Sequence, residues 1–168
     1  MHDPSRLTPW VSARHGADKA VLYEELAREL DSLLTGETDS VANAANSAAA
    51  IYHALPQLNW AGFYFLRGGE LVVGPFQGLP ACVRIPLDKG VCGAAASTRS
   101  TQLVEDVHAF PGHIACDAAS RSELVVPLVS GDALIGVLDL DSPEPARFDV
   151  EDQTGLEAIA LAYLESLA

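Results

Sequence analysis

At 168 residues and 49% hydrophobic, the chain is long enough for one domain with a sizeable core and too apolar for disorder. A formal net charge of −13, from 10 Lys and Arg against 23 Asp and Glu, provides no surface for a phosphate backbone, so nucleic acid is excluded as an expected partner. No stretch is long and apolar enough to span a bilayer, and the opening MHDPSRLTPWVSARHG lacks the basic end and apolar run of a secretory signal; the expectation is a cytoplasmic protein without a membrane partner.

A single domain over residues 1–168 is expected, with 1–17 as an N-terminal arm marked by Pro4, Pro9 and Gly16. The arm leads into DKAVLYEELARELDSLL, where Leu22, Leu26, Leu30 and Leu33 recur on one face of a helix that Gly36 ends. Thr38 to Asp39 can cap a second helix, with Val41, Ala44, Ala48, Ile51 and Leu55 at helical spacing. After Pro56 the period changes. NWAGFYFL and ELVVGPF read as strands of a hairpin turning at Arg67-Gly68-Gly69. Cys82-Val-Arg-Ile predicts another strand, DKGVCGAAASTRS a small helix, and Thr101-Gln-Leu-Val a short strand.

The segment EDVHAFPGHIACDAASRS is too polar and broken for a regular element, and long loops inside compact domains are often binding loops or lids. SELVVPLV and ALIGVLDLD then form a second hairpin about Ser130-Gly131-Asp132. Pro143 and Pro145 stop the sheet, and Asp149 caps a last amphipathic helix through Leu156, Ile159, Ala160, Tyr163 and Leu167. This order predicts an α+β domain: an antiparallel sheet of about six strands, terminal helices over one face, and loops that build a pocket on the other.

Cys82, Cys92 and Cys116 are the only cysteines, and all three lie in one stretch rich in Gly, Pro and His. Small buried cysteines would account for them as core. In the cytoplasm, however, clustered thiols point to redox or metal chemistry. Zinc would recruit His108 and His113 as further ligands, but structural zinc sites favour close C-x-x-C pairs, and here nine and twenty-three residues separate successive cysteines. No metal is therefore expected. Asp139 and Asp141 alternate with Leu138 and Leu140, so both acids point to one sheet face, either into a pocket or to solvent. Asp117 adjoins Cys116 and Glu123 follows soon after; negative charge there would raise a thiol pKa, so backbone N–H groups, His113 or a substrate ammonium must offset it.

The paired phrases LNWAGFYFL and VVPLVSGDALIGVLDLDSPEPARFDVEDQ, with the closing helix, resemble the GAF domain family. Within it, GPFQGLPACVRIPLDKGVCG, TQLVEDVHAFPGHIACDAASRSE and GVLDLDS are similar to the free methionine-(R)-sulfoxide reductases, from about Ala42 to the C-terminus. The resemblance implies a GAF-like fold and reduction of free L-methionine-(R)-sulfoxide through a cysteine sulfenic acid and an intramolecular disulfide. Thioredoxin or a similar dithiol would be the external reductant, with no bound cofactor. It gives the attacking role to Cys116, the resolving role to Cys82 and an alternate role to Cys92. It also places Glu123 and Asp141 in the pocket with Asp139 beside them, sets Trp60 against the substrate S-methyl group, and lets Tyr64 and Phe76 extend that wall. Ile114 and Ala115 would offer backbone donors. A GAF-type small-ligand or redox-sensing module without turnover is the alternative, and the oligomeric state, a homodimer included, is left open.

Overall fold

The structure is a computed structural model and describes residues 18–168; the N-terminal arm with Pro4, Pro9 and Gly16 lies outside the described residues. Two helices open it, α1 (Lys19–Leu34) and α2 (Ser40–Ala54), each N-capped by an aspartate, Asp18 and Asp39, whose carboxylates accept from the first free N–H groups. Leu33 packs partly buried against the core and Leu34 is buried beside it, whereas Val41 in the first turn of α2 faces solvent at 54% exposure.

The strands follow as β1 (Trp60–Arg67), β2 (Glu70–Gly78) and β3 (Arg84–Pro86), then helix α3 (Gly90–Thr98), β4 (Gln102–Val104), β5 (Ser122–Ser130), β6 (Ala133–Ser142) and helix α4 (Val150–Ser166). Gly68 and Gly69 both take positive φ, 58° and 86°, as a tight hairpin turn demands. The third strand begins at Arg84, so Cys82 lies just outside it instead of heading it as the sequence suggests. A freed Cys82 can reach across to another loop.

Pairing is antiparallel throughout, in the order β3-β2-β1-β6-β5-β4. Alternation divides the central strands cleanly. Phe63, Leu124, Leu138 and Leu140 point toward α1, α2 and α4 and form the larger core with Leu26, Ile51 and Leu156. Their neighbours Trp60, Tyr64, Val125 and Val137 point the other way, into a smaller cluster closed by Val91, Cys92, Ala95 and Ala96 of α3. Among the described residues no helix is long and apolar enough to cross a membrane.

One carboxylate locks the helical layer. Asp152, wholly buried in the first turn of α4, accepts from Lys19 Nζ (2.6 Å), Tyr23 OH (2.9 Å), Arg147 Nη1 (3.1 Å) and the Asp149 N–H (3.0 Å). Asp149 completes a capping box with it. Replacing Asp152 by Ala leaves Nη1 of the Arg147 guanidinium, 7% exposed, and the Tyr23 hydroxyl without their carboxylate acceptor. Urea unfolding of Asp152→Ala is expected to show a loss of about 3 kcal/mol, the scale for removing one member of a buried charged pair; an unchanged midpoint would show that the network contributes nothing.

Candidate active site

The acidic face of β6 is set by register. Asp141 stands opposite Trp60 of β1 and Glu123 of β5, so a tryptophan and two carboxyl groups lie in one row across three strands. Asp139 lies in the next inward-facing row, between Gly62 and Val125. The solvent-facing alternative for these acids fails: Glu123 and Asp139 are 6% and 5% exposed, roofed by α3 and the loops. All three acids line a cavity together with Trp60, Tyr64, Cys92, Ile114, Cys116, Asp117 and Ser120. It measures about 40 Å³, far below the roughly 300 Å³ at which ligand pockets begin.

Aromatic rings form one wall. The Trp60 indole is stacked between Tyr64 (centroids 5.6 Å apart) and Phe76 (5.3 Å). Gly62 makes room for it, since a Cβ there would lie 2.7 Å from the indole edge and collide with Phe76. Tyr64 also donates its hydroxyl to the Cys82 carbonyl (3.2 Å), fixing the backbone of the loop that carries this cysteine.

That loop meets the long polar one through sulfur. Cys82 and Cys116 form a disulfide, with Cα atoms 5.3 Å apart and a sequence separation of 34. Cys116 lines the cavity, whereas Cys82 approaches from the loop beside Ala81, which is also in the lining. Cys92 remains a buried thiol on α3 and lies 3.8 Å from Glu123 Oε1. Ile114 contributes to the lining; Ala115 is exposed and does not.

Burial dominates the electrostatics. It pushes Glu123 well above the ordinary carboxyl range, and Asp139 and Asp141 push it further. Asp139 rises to about 7 through burial, against hydrogen bonds from Cys92 and Glu123 that favour its charged form. Asp141 is raised by burial and by Asp139 and Asp117, with a Ser120 hydrogen bond opposing. Cys92 is likewise driven up, by burial first and then by the acids. The lining contains no Lys or Arg to favour the charged forms, so these groups hold their protons to higher pH than they would in water.

His113 does not supply the missing positive charge. Burial, then His108, hold it below the usual imidazole range, so it is neutral at pH 7. The two histidine rings are 6.4 Å apart, edge to face. Cys92, Glu123 and Asp139 offer a sulfur and two oxygens all within 4.8 Å of one another, the spacing a cation would need, and neither histidine belongs to that group. Two lining groups keep unpaired buried atoms among the described residues, Trp60 Nε1 and Asp139 Oδ1. Such orphans are costly unless a ligand meets them.

Asn59 and Ser120 have no role that the sequence announced, and Asp117 figured there only as a charge beside Cys116. Asn59 Nδ2 donates to Asp117 Oδ2 and Ser120 Oγ, contacts 58 and 61 residues apart in the chain that no local pattern announces.

Two outcomes follow from the buried charges. Cys92, 4% exposed and with its thiol pKa raised, is expected to resist a thiol reagent at pH 8 in the disulfide form, and denaturation should then release one reactive thiol per chain. Two thiols, or immediate reaction, would contradict this arrangement. For Asp139 the folded-state pKa lies above its unfolded value, so native stability is lost as pH rises from about 4 toward 7. Asp139→Asn is accordingly expected to raise Tm at pH 8, with the gain fading toward pH 4; a gain independent of pH would have another origin.

The GAF domain family model matches residues 27–163. The free methionine-R-sulfoxide reductase of Escherichia coli is 51% identical over 150 residues, covering 89% of this chain and 90% of that protein. The protein of the same name from Saccharomyces cerevisiae is 44% identical over 158 residues, covering 89% and 88%. Among solved structures, free methionine-R-sulfoxide reductase from Neisseria meningitidis in complex with its substrate superposes with a TM-score of 0.87 at 46% identity, covering 90% of this chain and 92% of that one. With its α+β fold, six-stranded sheet and paired cysteines, this chain belongs to the free methionine-R-sulfoxide reductase family of GAF-domain proteins.

Proposed function

We propose that this protein reduces free L-methionine-(R)-sulfoxide to L-methionine with electrons drawn from its thiols. The observation that carries this reading is the Cys82–Cys116 disulfide, with one sulfur in the lining of a cavity that has an aromatic wall and an acidic floor.

In the reduced protein Cys116 Sγ attacks the sulfoxide sulfur. The sulfur–oxygen bond breaks as the oxygen leaves with a proton and passes to Cys116, giving a sulfenic acid and methionine; the sulfoxide sulfur gains two electrons and Cys116 loses them. Glu123, held protonated by burial, is the group we assign to protonate the oxygen. Cys82 then attacks the sulfenic sulfur and water departs, forming the disulfide seen here. Thioredoxin or a similar dithiol restores both thiols, which suits a reducing compartment such as the cytoplasm. Cys92 is the poorer candidate for resolution, because its thiol is buried and held protonated, and it keeps an alternate role.

Recognition follows the same surfaces. Trp60, with Tyr64 and Phe76 behind it, packs on the S-methyl group, since sulfur-bearing groups favour aromatic walls. Asp141 and Asp139 receive the ammonium, whose charge stabilises their ionised forms. We assign the backbone N–H groups of Ile114 and Ala115 to the substrate carboxylate, a role supported for Ile114 by its place in the lining. A site that holds both ends of an amino acid rejects a peptide.

The decisive assay presents R and S epimers, free and N-acetylated, with a thioredoxin system and measures methionine formed. Turnover of the free R form alone is expected; none, or preference for the acetylated or S form, sinks the proposal. Cys116→Ser should abolish even one turnover, and Cys82→Ser should release about one methionine per chain and then stall. Glu123→Gln is expected to slow the single turnover roughly 100-fold or more. Because Glu123 must stay protonated, the wild-type rate should fall as pH rises through its elevated pKa. A profile unaltered by the substitution would remove Glu123 from proton transfer.

A further inference from the structure

Asn59 immediately precedes β1 and lines no part of the cavity, yet three segments of the site converge on it. Its backbone N–H donates to the Asp141 carbonyl (3.0 Å), and its side-chain Nδ2 donates to Asp117 Oδ2 (2.9 Å) and Ser120 Oγ (3.0 Å). The amide orientation is forced, since a flipped group would set a carbonyl oxygen against a carboxylate. Asn59 Oδ1 is buried and has no partner among the described residues, so the donor side alone holds the amide. Gly78 closes over this point: a Cβ there would lie 2.6 Å from the Asn59 carbonyl.

The two acceptors act on Asp141 in opposite senses. The Asp117 charge disfavours ionisation of Asp141, and the Ser120 hydrogen bond favours it. An amide donor on Asp117 disperses that charge. With Ser120 Oγ already accepting from Asn59, its single hydrogen is directed to Asp141. Both effects favour the charged carboxylate. The Ala119 N–H also donates to Asp117 Oδ1 (2.8 Å), so the residue that follows Cys116 is fixed at both oxygens.

We propose that Asn59 is a positioning residue of this site, whose amide holds the Asp117 carboxylate and the Ser120 hydroxyl and thereby sets both the seat of the Cys116 loop and the charge of Asp141. Only the identity of the cation that Asp141 receives rests on the reductase reading; the tether stands without it. The groups facing Asp141 are Asp139 on its own strand, Glu123 on β5, Tyr64 on β1, Cys92 on α3, and Asp117 and Ser120 on the loop.

Carboxyl NMR titration of Asp141 in the reduced, substrate-free protein tests this without reference to turnover. Asn59→Ala is expected to move the Asp141 midpoint up by about one pH unit, and Ser120→Ala to move it in the same direction. In an Asp117→Asn, Ser120→Ala background, Asn59→Ala should add nothing. A midpoint unmoved in folded Asn59→Ala overturns the proposal, as does a shift that persists undiminished in that background, which would reflect loosened packing. Should the alanine variant not fold, Asn59→Ser carries the same readings, its side chain being too short to reach both acceptors. In single turnovers, the half-saturating concentration of free sulfoxide should rise about tenfold for Asn59→Ala, with its acid limb at higher pH. A wild type that does not reduce sulfoxide would fail the reductase reading and leave the NMR arm to decide Asn59.

Discussion

Three carboxyl groups on one sheet face and a thiol on the helix that covers it line a cavity with no lysine or arginine in its lining. Their mutual repulsion, in a place where water cannot screen it, is the constraint to which the rest of the site answers. Glu123 and Asp139 are pushed toward their protonated forms, a Ser120 hydrogen bond favours the charged form of Asp141, and Asn59 donates to the Asp117 carboxylate. The arrangement is strained toward a cation. A ligand that carries an ammonium and a polar oxygen would relieve both the repulsion and the unpaired Trp60 Nε1 and Asp139 Oδ1.

Such a face survives because the other side of the same strands is stable without it. Phe63, Leu124, Leu138 and Leu140 bury into a helical layer locked by Asp152, while their immediate neighbours in sequence build the site. Strand alternation therefore separates what holds the fold from what performs chemistry. The separation also explains why two buried carboxylate clusters behave differently. Asp152 is surrounded by Lys19, Arg147 and Tyr23, whereas the site acids see mainly one another.

Much of this was legible in the chain. Leucine spacing marked α1, Gly68-Gly69 marked the first hairpin, and the alternation of Leu138 and Leu140 with two aspartates placed both acids on one face. Their burial was not legible, since a polar alternation reads the same on a solvated face as under a roof that α3 supplies from elsewhere. Val41 is exposed despite its spacing because helical periodicity does not reveal where a helix leaves its neighbour. Cys82 was drawn into a strand by its β-prone company, although the ladder starts only at Arg84. Asn59 went unassigned because its partners are more than fifty residues away and its value lies in the direction of two hydrogens.

The link between Cys82 and Cys116 joins the two loops that border a cavity of only about 40 Å³. In this oxidised state neither sulfur of the pair is a thiol, so one form of the protein cannot serve both sulfoxide and reductant. The two must alternate, each working on the form that the other has left, and ping-pong kinetics with parallel double-reciprocal lines follow from the crosslink alone. On the reductase reading proposed above, the crosslinked form would be inert toward sulfoxide until its sulfurs were reduced, and the rate of that reduction would set how much of the protein is ready for work.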